Sequence, residues 1–128
     1  MTPAFLTTDI VLRIHARSLA EFGGLGGIAD PGAVESAVMA VQNHFNYTGG
    51  DLFDLAAVLL WHLGRDHPFA DGNKRAALAS ALVFLAINGI DLARNDDLFE
   101  ALTLSVAKGE IDKEQVAAIL RKAEPSSG

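Results

Sequence analysis

The sequence predicts an all-α fold. Apolar residues recur at intervals of three and four, capping residues and glycines divide the chain into about six such segments, and no segment alternates strictly between apolar and polar residues. Half of the 128 residues are hydrophobic and only 7% are aromatic, so a core of Ala, Leu, Val and Ile is expected, which favours helices. We expect one compact domain over residues 1–123, with about six helices around a central apolar helix, and a disordered tail at 124–128.

The first helix and the glycine-rich segment after it are marked by their flanking residues. Thr7 or Thr8 can accept a hydrogen bond from a first-turn amide, so a helix is expected from there to about Phe22, ending at Gly23. The stretch 23–27 has the glycine content of a dinucleotide-binding loop, but it follows a helix rather than a strand. A flexible turn, or the edge of a flap beside a functional site, is expected instead.

The second and third helices begin at aspartates. Asp30 is followed by Pro31, which is favoured at the first helical position because its missing N–H would have no partner there. This helix is expected to end near Asn46, and a third is expected from Asp51 to the residues before Pro68. Val34, Val38 and Val41 are expected to face inward from the second helix, and the third contains Leu52, Leu55, Val58, Leu59 and Leu63.

The fourth helix is the most apolar. It begins around Asn73 and stops at Asn88-Gly89, where glycine permits the left-handed conformation common after a helix. Because it is apolar on nearly all sides, we expect it to be the central element of the bundle. Two more helices complete the prediction, a fifth that follows residues 95–97 and stops at Gly109 and a sixth that begins with the capping pair Asp112 and Gln115 and ends near Lys122.

Composition excludes several classes of protein. Sixteen acids against ten bases give a formal charge of −6 without a clustered basic face, so direct nucleic-acid binding is not expected. The absence of cysteine excludes disulfides, thiolate metal sites and a cysteine nucleophile. No signal peptide is evident, and the most apolar stretch, the twelve residues 76–87, is too short to span a membrane. A cytoplasmic protein without a membrane partner is expected.

The stretch HPFADGNKR, from His67 to Arg75, places reactive side chains at the start of the fourth helix. The first amides of a helix lack intrahelical partners and bind anions, and Gly72 leaves that end unobstructed. Lys74 and Arg75 put cations where a helix disfavours them, which a bound polyphosphate would explain. Asp71 can hold Mg²⁺ together with phosphate oxygens, and His67 can act as a base. These groups fit phosphoryl or nucleotidyl transfer.

The same residues also have a structural explanation. His67 can place a cation at the end of the third helix, Gly72 can serve as a turn residue, and Asp71 or Asn73 can be an ordinary N-cap. Composition alone leaves both explanations open. His15 shows no pattern of its own, and a surface or half-buried position is expected for it.

The motif resembles the signature of the Fic family, HPFxxGNGR. It is closer to the death-on-curing branch, the Doc toxins, in which a lysine replaces the second glycine. The similarity continues in FGGLGGIADPG (22–32) and in NKRAALASALVFLAINGI (73–90), so the resemblance covers most of residues 8–122. It implies a Fic-type helical domain and the toxin of a toxin–antitoxin pair.

The resemblance also implies roles for individual residues. His67 corresponds to the base that activates a hydroxyl of a target protein, and Asp71 to the Mg²⁺ ligand. Asn73 and Arg75 correspond to groups that position phosphates, while the amides of residues 72–74 form the anion hole. Arg65 matches a basic residue of Doc toxins. The nucleotide-binding residues implied in this way are Gly72, Asn73, Lys74, Arg75 and Arg65.

Two departures from the Fic signature affect the expected reaction. Lys74 adds bulk and charge where AMP-transferring relatives have glycine, and it could force ATP to bind reversed, with its γ-phosphate presented to the acceptor. Doc toxins, which share the lysine, phosphorylate a threonine of elongation factor Tu. Leu78 stands where the family has a second arginine, so inhibition by a glutamate that pairs with that arginine is in doubt.

The resemblance therefore implies an ATP- and Mg²⁺-dependent protein kinase that halts translation. It also implies a Phd-like antitoxin, of which a disordered segment folds on docking, so an exposed apolar groove is expected. Fic-type AMP transfer to a protein hydroxyl is one alternative. A non-catalytic module that binds nucleotide or a partner is another.

Overall fold

A computed structural model describes residues 2–126, and this part of the chain contains six α-helices and no β-strand. The helices are α1 (Thr8–Phe22), α2 (Pro31–Tyr47), α3 (Leu52–Asp66), α4 (Asn73–Ile87), α5 (Asp96–Ala107) and α6 (Lys113–Lys122). The predicted all-α fold is confirmed. The predicted helix ends agree with the observed ones because caps and glycines, which are visible in the sequence, determine them.

Side-chain caps explain where five of the helices begin. The side chains of Thr7, Asp30, Asp51, Asn95 and Asp112 accept hydrogen bonds from first-turn amides of α1, α2, α3, α5 and α6. In α3 and α6 the cap is reciprocal, forming a capping box. Among the helices of residues 2–126, α4 alone begins without a side-chain cap.

Helix α3, rather than α4, lies at the centre of the bundle. It packs against α2, α4, α5 and α6, and Leu59 and Leu63 on it are almost completely buried. Helix α4 packs against α1, α3 and α5 and leaves Leu78 and Leu82 partly exposed. The prediction that α4 is the central helix was therefore wrong. An apolar surface on all sides does not distinguish a helix covered on every face from one that lines an open groove.

The loop between α3 and α4 is tied to the segment between α1 and α2. The backbone amides of Ala29 and Asp30 both donate to the carbonyl oxygen of Pro68, at 2.8 and 2.9 Å. Ile28 and Phe69 face each other in an isolated antiparallel bridge. The glycine-rich segment therefore lies beside the reactive loop, as the flap interpretation predicted.

The last described residues are hydrogen-bonded to the segment after α4. The amide of Ala93 donates to the carbonyl of Glu124, and the amide of Ser126 donates to the carbonyl of Asp91, both at 2.8 Å. The described part of the predicted tail is therefore held against the bundle, and residues 127 and 128 lie outside the described residues. No helix within 2–126 combines the length and the apolar character needed to cross a membrane.

Candidate functional site

The reactive stretch forms one cleft at the amino end of α4. The cleft has a volume of about 350 Å³, and one residue from the end of α5 completes its wall. It brings together most of the site residues that the sequence predicted. Its lining consists of His67, Ala70, Asp71, Gly72, Asn73, Lys74, Arg75 and Ala107.

The backbone at the start of α4 is open to a ligand. Gly72 is the N-cap residue, with φ 77° and ψ 20°, a left-handed conformation that favours glycine. No side chain accepts a hydrogen bond from the first-turn amides. The explanation in which Asp71 or Asn73 is an ordinary N-cap is therefore contradicted. Free amides at the positive end of the helix dipole form an anion-binding surface.

Asn73 braces the loop. Its side-chain oxygen accepts from the amide of Phe69 at 3.0 Å, and its side-chain nitrogen donates to the carbonyl of Phe69 at 2.9 Å. Phe69 itself is buried. Asn73 thus lines the cleft, but its amide group is largely engaged by the backbone four residues earlier. In this structure it holds the loop that carries the other site residues.

His67 occupies a strained backbone position at the mouth of the cleft. It follows α3 with φ 48° and ψ 60°, and it is the only non-glycine residue with positive φ in the described chain. Left-handed conformations outside glycine cost about 1–3 kcal/mol and cluster at functional sites. Its side chain is exposed, and no group within residues 2–126 hydrogen-bonds to the imidazole. The ring is therefore free to accept a proton from an incoming hydroxyl.

The carboxylate of Asp71 is held by two backbone amides. Leu25 donates to Oδ2 at 3.1 Å and Gly72 donates to Oδ1 at 2.8 Å. These hydrogen bonds, helped by the positive charge of Arg75, lower the pKa of Asp71. A Cβ at Gly24 would lie only 2.8 Å from Oδ2, so glycine is needed for the flap to approach this closely. The group is therefore ionised and exposed in the cleft.

Asp71 fits the role of a metal ligand only in company with a nucleotide. No group of three or more His, Cys, Asp or Glu side chains that could hold a metal occurs within the described residues. Mg²⁺ commonly takes one or two carboxylates and completes its shell with phosphate oxygens and water. One ionised carboxylate beside an anion-binding helix end is compatible with that arrangement.

Lys74 and Arg75 supply the positive charge of the cleft. Lys74 is exposed and has no hydrogen bond or ion pair with any described residue. The guanidinium carbon of Arg75 lies 4.6 Å from the centre of the Phe22 ring, at the end of α1. Arg75 also borders an apolar groove between α1 and α4. Both cations are therefore available to a phosphate.

Arg65 does not line this cleft. Its Nη1 donates to the carbonyl oxygens of Val106 and Ala107, at 3.5 and 3.1 Å. Cations are favourable at a helix C-terminus, where carbonyls lack partners. The structure therefore shows Arg65 joining the end of α5 to α3, which differs from the nucleotide contact that the resemblance implied. Ala107, which Arg65 holds, forms part of the cleft wall.

His15 is a part of the site that the sequence did not indicate. It is 5% exposed, which contradicts the surface or half-buried position expected for it. Its Nε2 lies 2.8 Å from the carbonyl oxygen of Asp71, and its ring stacks on Phe69 with centroids 3.6 Å apart. The only available signal was its position on the inner face of α1, shared with Val11 and Ser18. That signal is weak because the partner lies 56 residues further along the chain.

Comparisons with known proteins agree with this geometry. The model of the Fic/DOC family matches residues 5–85, more than half of the chain. The chain is 37% identical over 118 residues to "Protein kinase doc" of Escherichia phage P1, with 91% of this chain and 93% of that protein covered. It is 41% identical over 105 residues to "Toxin Doc" of Mycolicibacterium smegmatis, with 77% and 79% covered. The chain belongs to the Fic/DOC family.

Proposed function

We propose that this protein is a cytoplasmic toxin kinase that transfers the γ-phosphate of ATP to a Ser or Thr hydroxyl of a target protein, elongation factor Tu. The observation that carries the proposal is the uncapped start of α4, where two cations that form no ion pair with a described residue, and an imidazole without a hydrogen-bond partner there, border one cleft. Such an arrangement binds phosphates and accepts a proton at the same place. The similarity to a phage protein named as a kinase supports phosphate as the transferred group.

The imidazole of His67 is the base in this mechanism. It takes the proton of the acceptor hydroxyl as the hydroxyl oxygen forms its bond to the γ-phosphorus. The bond between that phosphorus and the β–γ bridging oxygen breaks, and ADP leaves. A positioned general base contributes about 10²–10⁴-fold to such a rate.

The start of α4 stabilises the charge that develops on the phosphates. The first-turn amides of Asn73 and Lys74, together with the side chains of Lys74 and Arg75, provide hydrogen bonds and positive charge without prior rearrangement, whereas the amide of Gly72 already donates to Asp71. Asp71, with phosphate oxygens, would hold Mg²⁺, which neutralises phosphate charge when bound. The side chain of Lys74 projects where AMP-transferring relatives have glycine, and it favours the nucleotide orientation that presents the γ-phosphate.

The groove between α1 and α4 is the proposed site of a Phd-like antitoxin. It has a volume of about 450 Å³, is mostly apolar, and carries Arg17 and Glu21 on its polar edge. Leu78 and Leu82 form part of its floor. An amphipathic segment that folds on docking would bury this surface with its apolar face. Arg75 borders both the groove and the cleft, so an occupant of the groove would reach the phosphate site.

The reaction is tested with ATP labelled at either the α- or the γ-phosphate. Purified protein is incubated with elongation factor Tu and Mg²⁺, with the His67→Ala variant in parallel. We expect label on the target only from the γ position and only with the unaltered protein. If the target retains label only from the α-phosphate, the reaction is AMP transfer and the kinase proposal is wrong. Growth arrest that persists in the folded His67→Ala variant would favour a non-catalytic binding module.

The antitoxin site is tested with Leu82→Asp, which places a charge in the groove away from the cleft. We expect the variant to remain folded, to keep its kinase activity and to escape inhibition by the small protein encoded beside it. Lys122→Asp, at the exposed end of α6, serves as a surface control. Unchanged inhibition of Leu82→Asp would place the antitoxin elsewhere.

A further inference from the structure

We propose that His15 is a positioning residue of the phosphate site, and that it acts by holding the carbonyl of Asp71. This inference rests on the proposed function in one respect, that the cleft binds a nucleotide. The contact joins the middle of α1 to the loop before α4; His15 is buried, and the hydrogen bond is partly buried. His15 lines no part of the cleft and would not touch the substrate.

The tautomer of His15 follows from its partner. A carbonyl oxygen only accepts hydrogen bonds, so the Nε2 atom that lies 2.8 Å from the oxygen of Asp71 must carry a proton. The ring is also fixed in orientation, because it stacks on Phe69 with an angle of 5° between the planes. An imidazole held by stacking and by one hydrogen bond has a defined direction. It therefore determines where the carbonyl of Asp71 points.

The direction of that carbonyl sets the direction of the next amide. In a trans peptide the C=O and the N–H lie in the peptide plane and point in opposite directions. The carbonyl of Asp71 is directed into the protein toward α1, so the N–H of Gly72 is directed away from α1. There it meets Oδ1 of Asp71 at 2.8 Å. One contact from His15 thus orients the amide of Gly72, and through it the carboxylate assigned to Mg²⁺.

Gly72 lies beside the imidazole of His15 and the side chain of Leu19 on α1. A Cβ built on Gly72 would lie 3.6 Å from Nε2 of His15 and 3.6 Å from Cδ2 of Leu19. The glycine therefore rests against the imidazole and its neighbour on α1. Without the donor, the partly buried carbonyl of Asp71 would lack a partner in the protein, which favours rotation of the peptide toward water. That rotation would turn the amide of Gly72 away from the carboxylate of Asp71.

The test compares His15→Gln with His15→Leu. Glutamine can place an N–H donor where Nε2 lies, whereas leucine fills the space and donates nothing. We expect His15→Leu to weaken the binding of Mg²⁺–ATP, measured by calorimetry, about tenfold or more, as the loss of one well-made hydrogen bond implies. His15→Gln should stay within about threefold of the unaltered protein, by the same conversion of free energy into affinity. Thermal unfolding of both variants shows how much of the change in affinity comes from a loss of stability.

A merely structural role predicts a different outcome. In that case the two variants lose affinity in proportion to their loss of stability, and glutamine gives no rescue at equal melting temperature. His44→Leu controls for the removal of an imidazole from another helix. Equal affinity of folded His15→Leu and the unaltered protein would overturn the proposal.

Nuclear magnetic resonance of the unaltered protein keeps the test independent of folding and of catalysis. Two-bond ¹H–¹⁵N spectra assign the imidazole proton, and a neutral ring with its proton on Nδ1 would overturn the proposal even if His15→Leu cannot fold. The amide resonance of Gly72 should shift in His15→Leu and not in His15→Gln. If the unaltered protein binds Mg²⁺–ATP but transfers no phosphate, the proposed kinase fails while this inference stands. If it binds no nucleotide, the amide resonance of Gly72 still tests whether His15 positions the loop. A resonance that does not shift in His15→Leu would then overturn the proposal.

Discussion

Helices α3 and α4 begin in opposite ways, although they are neighbours along the chain and pack against each other. At α3, Asp51 and Asp54 exchange hydrogen bonds with the first-turn backbone, and Arg121 from α6 pairs with both carboxylates. At α4 the cap is Gly72, and the first turn carries two cations. The first arrangement satisfies the positive end of the helix from within the protein, and the second leaves that end to a ligand.

The difference shows how a functional helix end can be recognised. Every helix needs partners for its first amides, and acids near that end are stabilising by about 0.3–1 kcal/mol. Five of the six helices of residues 2–126 obtain such a partner from a side chain. Helix α4 combines the missing cap with two cations, the charge that this end of a helix disfavours, and this combination fits the proposed phosphate ligand.

The largest expected effect comes from His67→Ala beside the start of α4. Because the imidazole is exposed and unengaged, its removal should lower phosphate transfer by about 10²–10⁴-fold and leave Mg²⁺–ATP binding and the melting temperature nearly unchanged. Single-turnover transfer, calorimetry and thermal unfolding measure the three quantities. His44→Ala is the matched control. A loss of melting temperature that accounts for the lost activity would instead support the structural explanation of His67.

The second largest expected effect is a loss of Mg²⁺–ATP affinity at the same helix end without a loss of protein stability. Lys74→Ala should weaken Mg²⁺–ATP binding by about tenfold or more, since hydrogen bonds to charged groups contribute about 1.5–3 kcal/mol. The free energy of unfolding should stay constant or rise by up to about 1 kcal/mol, because a cation in the first turn is unfavourable. Lys122→Ala removes an exposed charge from the end of α6 and should leave the affinity unchanged. Unaltered affinity in Lys74→Ala would mean that the start of α4 does not bind the phosphates.

The contrast between the starts of α3 and α4 could be predicted from the sequence only in part. The caps, the glycines and the motif HPFADGNKR are local signals, so the helix ends and the residues of the cleft could be predicted. The roles of Arg65 and His15 could not, because each depends on a backbone carbonyl more than 40 positions away. The central helix was misassigned for a related reason. How much of the surface of α4 is covered depends on where α1 packs, and the composition of α4 does not reveal the position of α1.

A third prediction concerns stability at the capped ends. Asp51→Ala removes the cap of α3 and one of the two carboxylates that pair with Arg121, whereas Asp112→Ala removes an otherwise similar capping box from α6. Loss of the cap should cost each variant about 0.5–2 kcal/mol of unfolding free energy. Asp51→Ala should cost up to about 1 kcal/mol more, because its ion pair is half exposed. Denaturant unfolding measures both, and a larger loss in Asp112→Ala would contradict this account. Binding of Mg²⁺–ATP should be unchanged in both variants.

The smallest effect is a dependence of stability on pH at Asp51. The hydrogen bond from Arg121, assisted by the amide of Asp54, lowers the pKa of the Asp51 carboxyl in the folded protein. A carboxyl whose pKa is lowered by folding stabilises the protein above its unfolded pKa, about 3.9, and loses that contribution as the pH falls through the folded pKa. Asp51→Asn keeps an efficient cap and removes only the charge.

The melting temperature of the unaltered protein should therefore exceed that of Asp51→Asn above about pH 5, and the gap should close as the pH falls below about 3.9. The expected gap is a few degrees or less, because half-exposed pairs contribute about 0–1 kcal/mol. In an Arg121→Gln background the gap above about pH 5 should shrink, since the two changes remove the same interaction. A gap that widens toward low pH would mean that the carboxyl stabilises the protein in its protonated form, and that Arg121 is not its partner in solution.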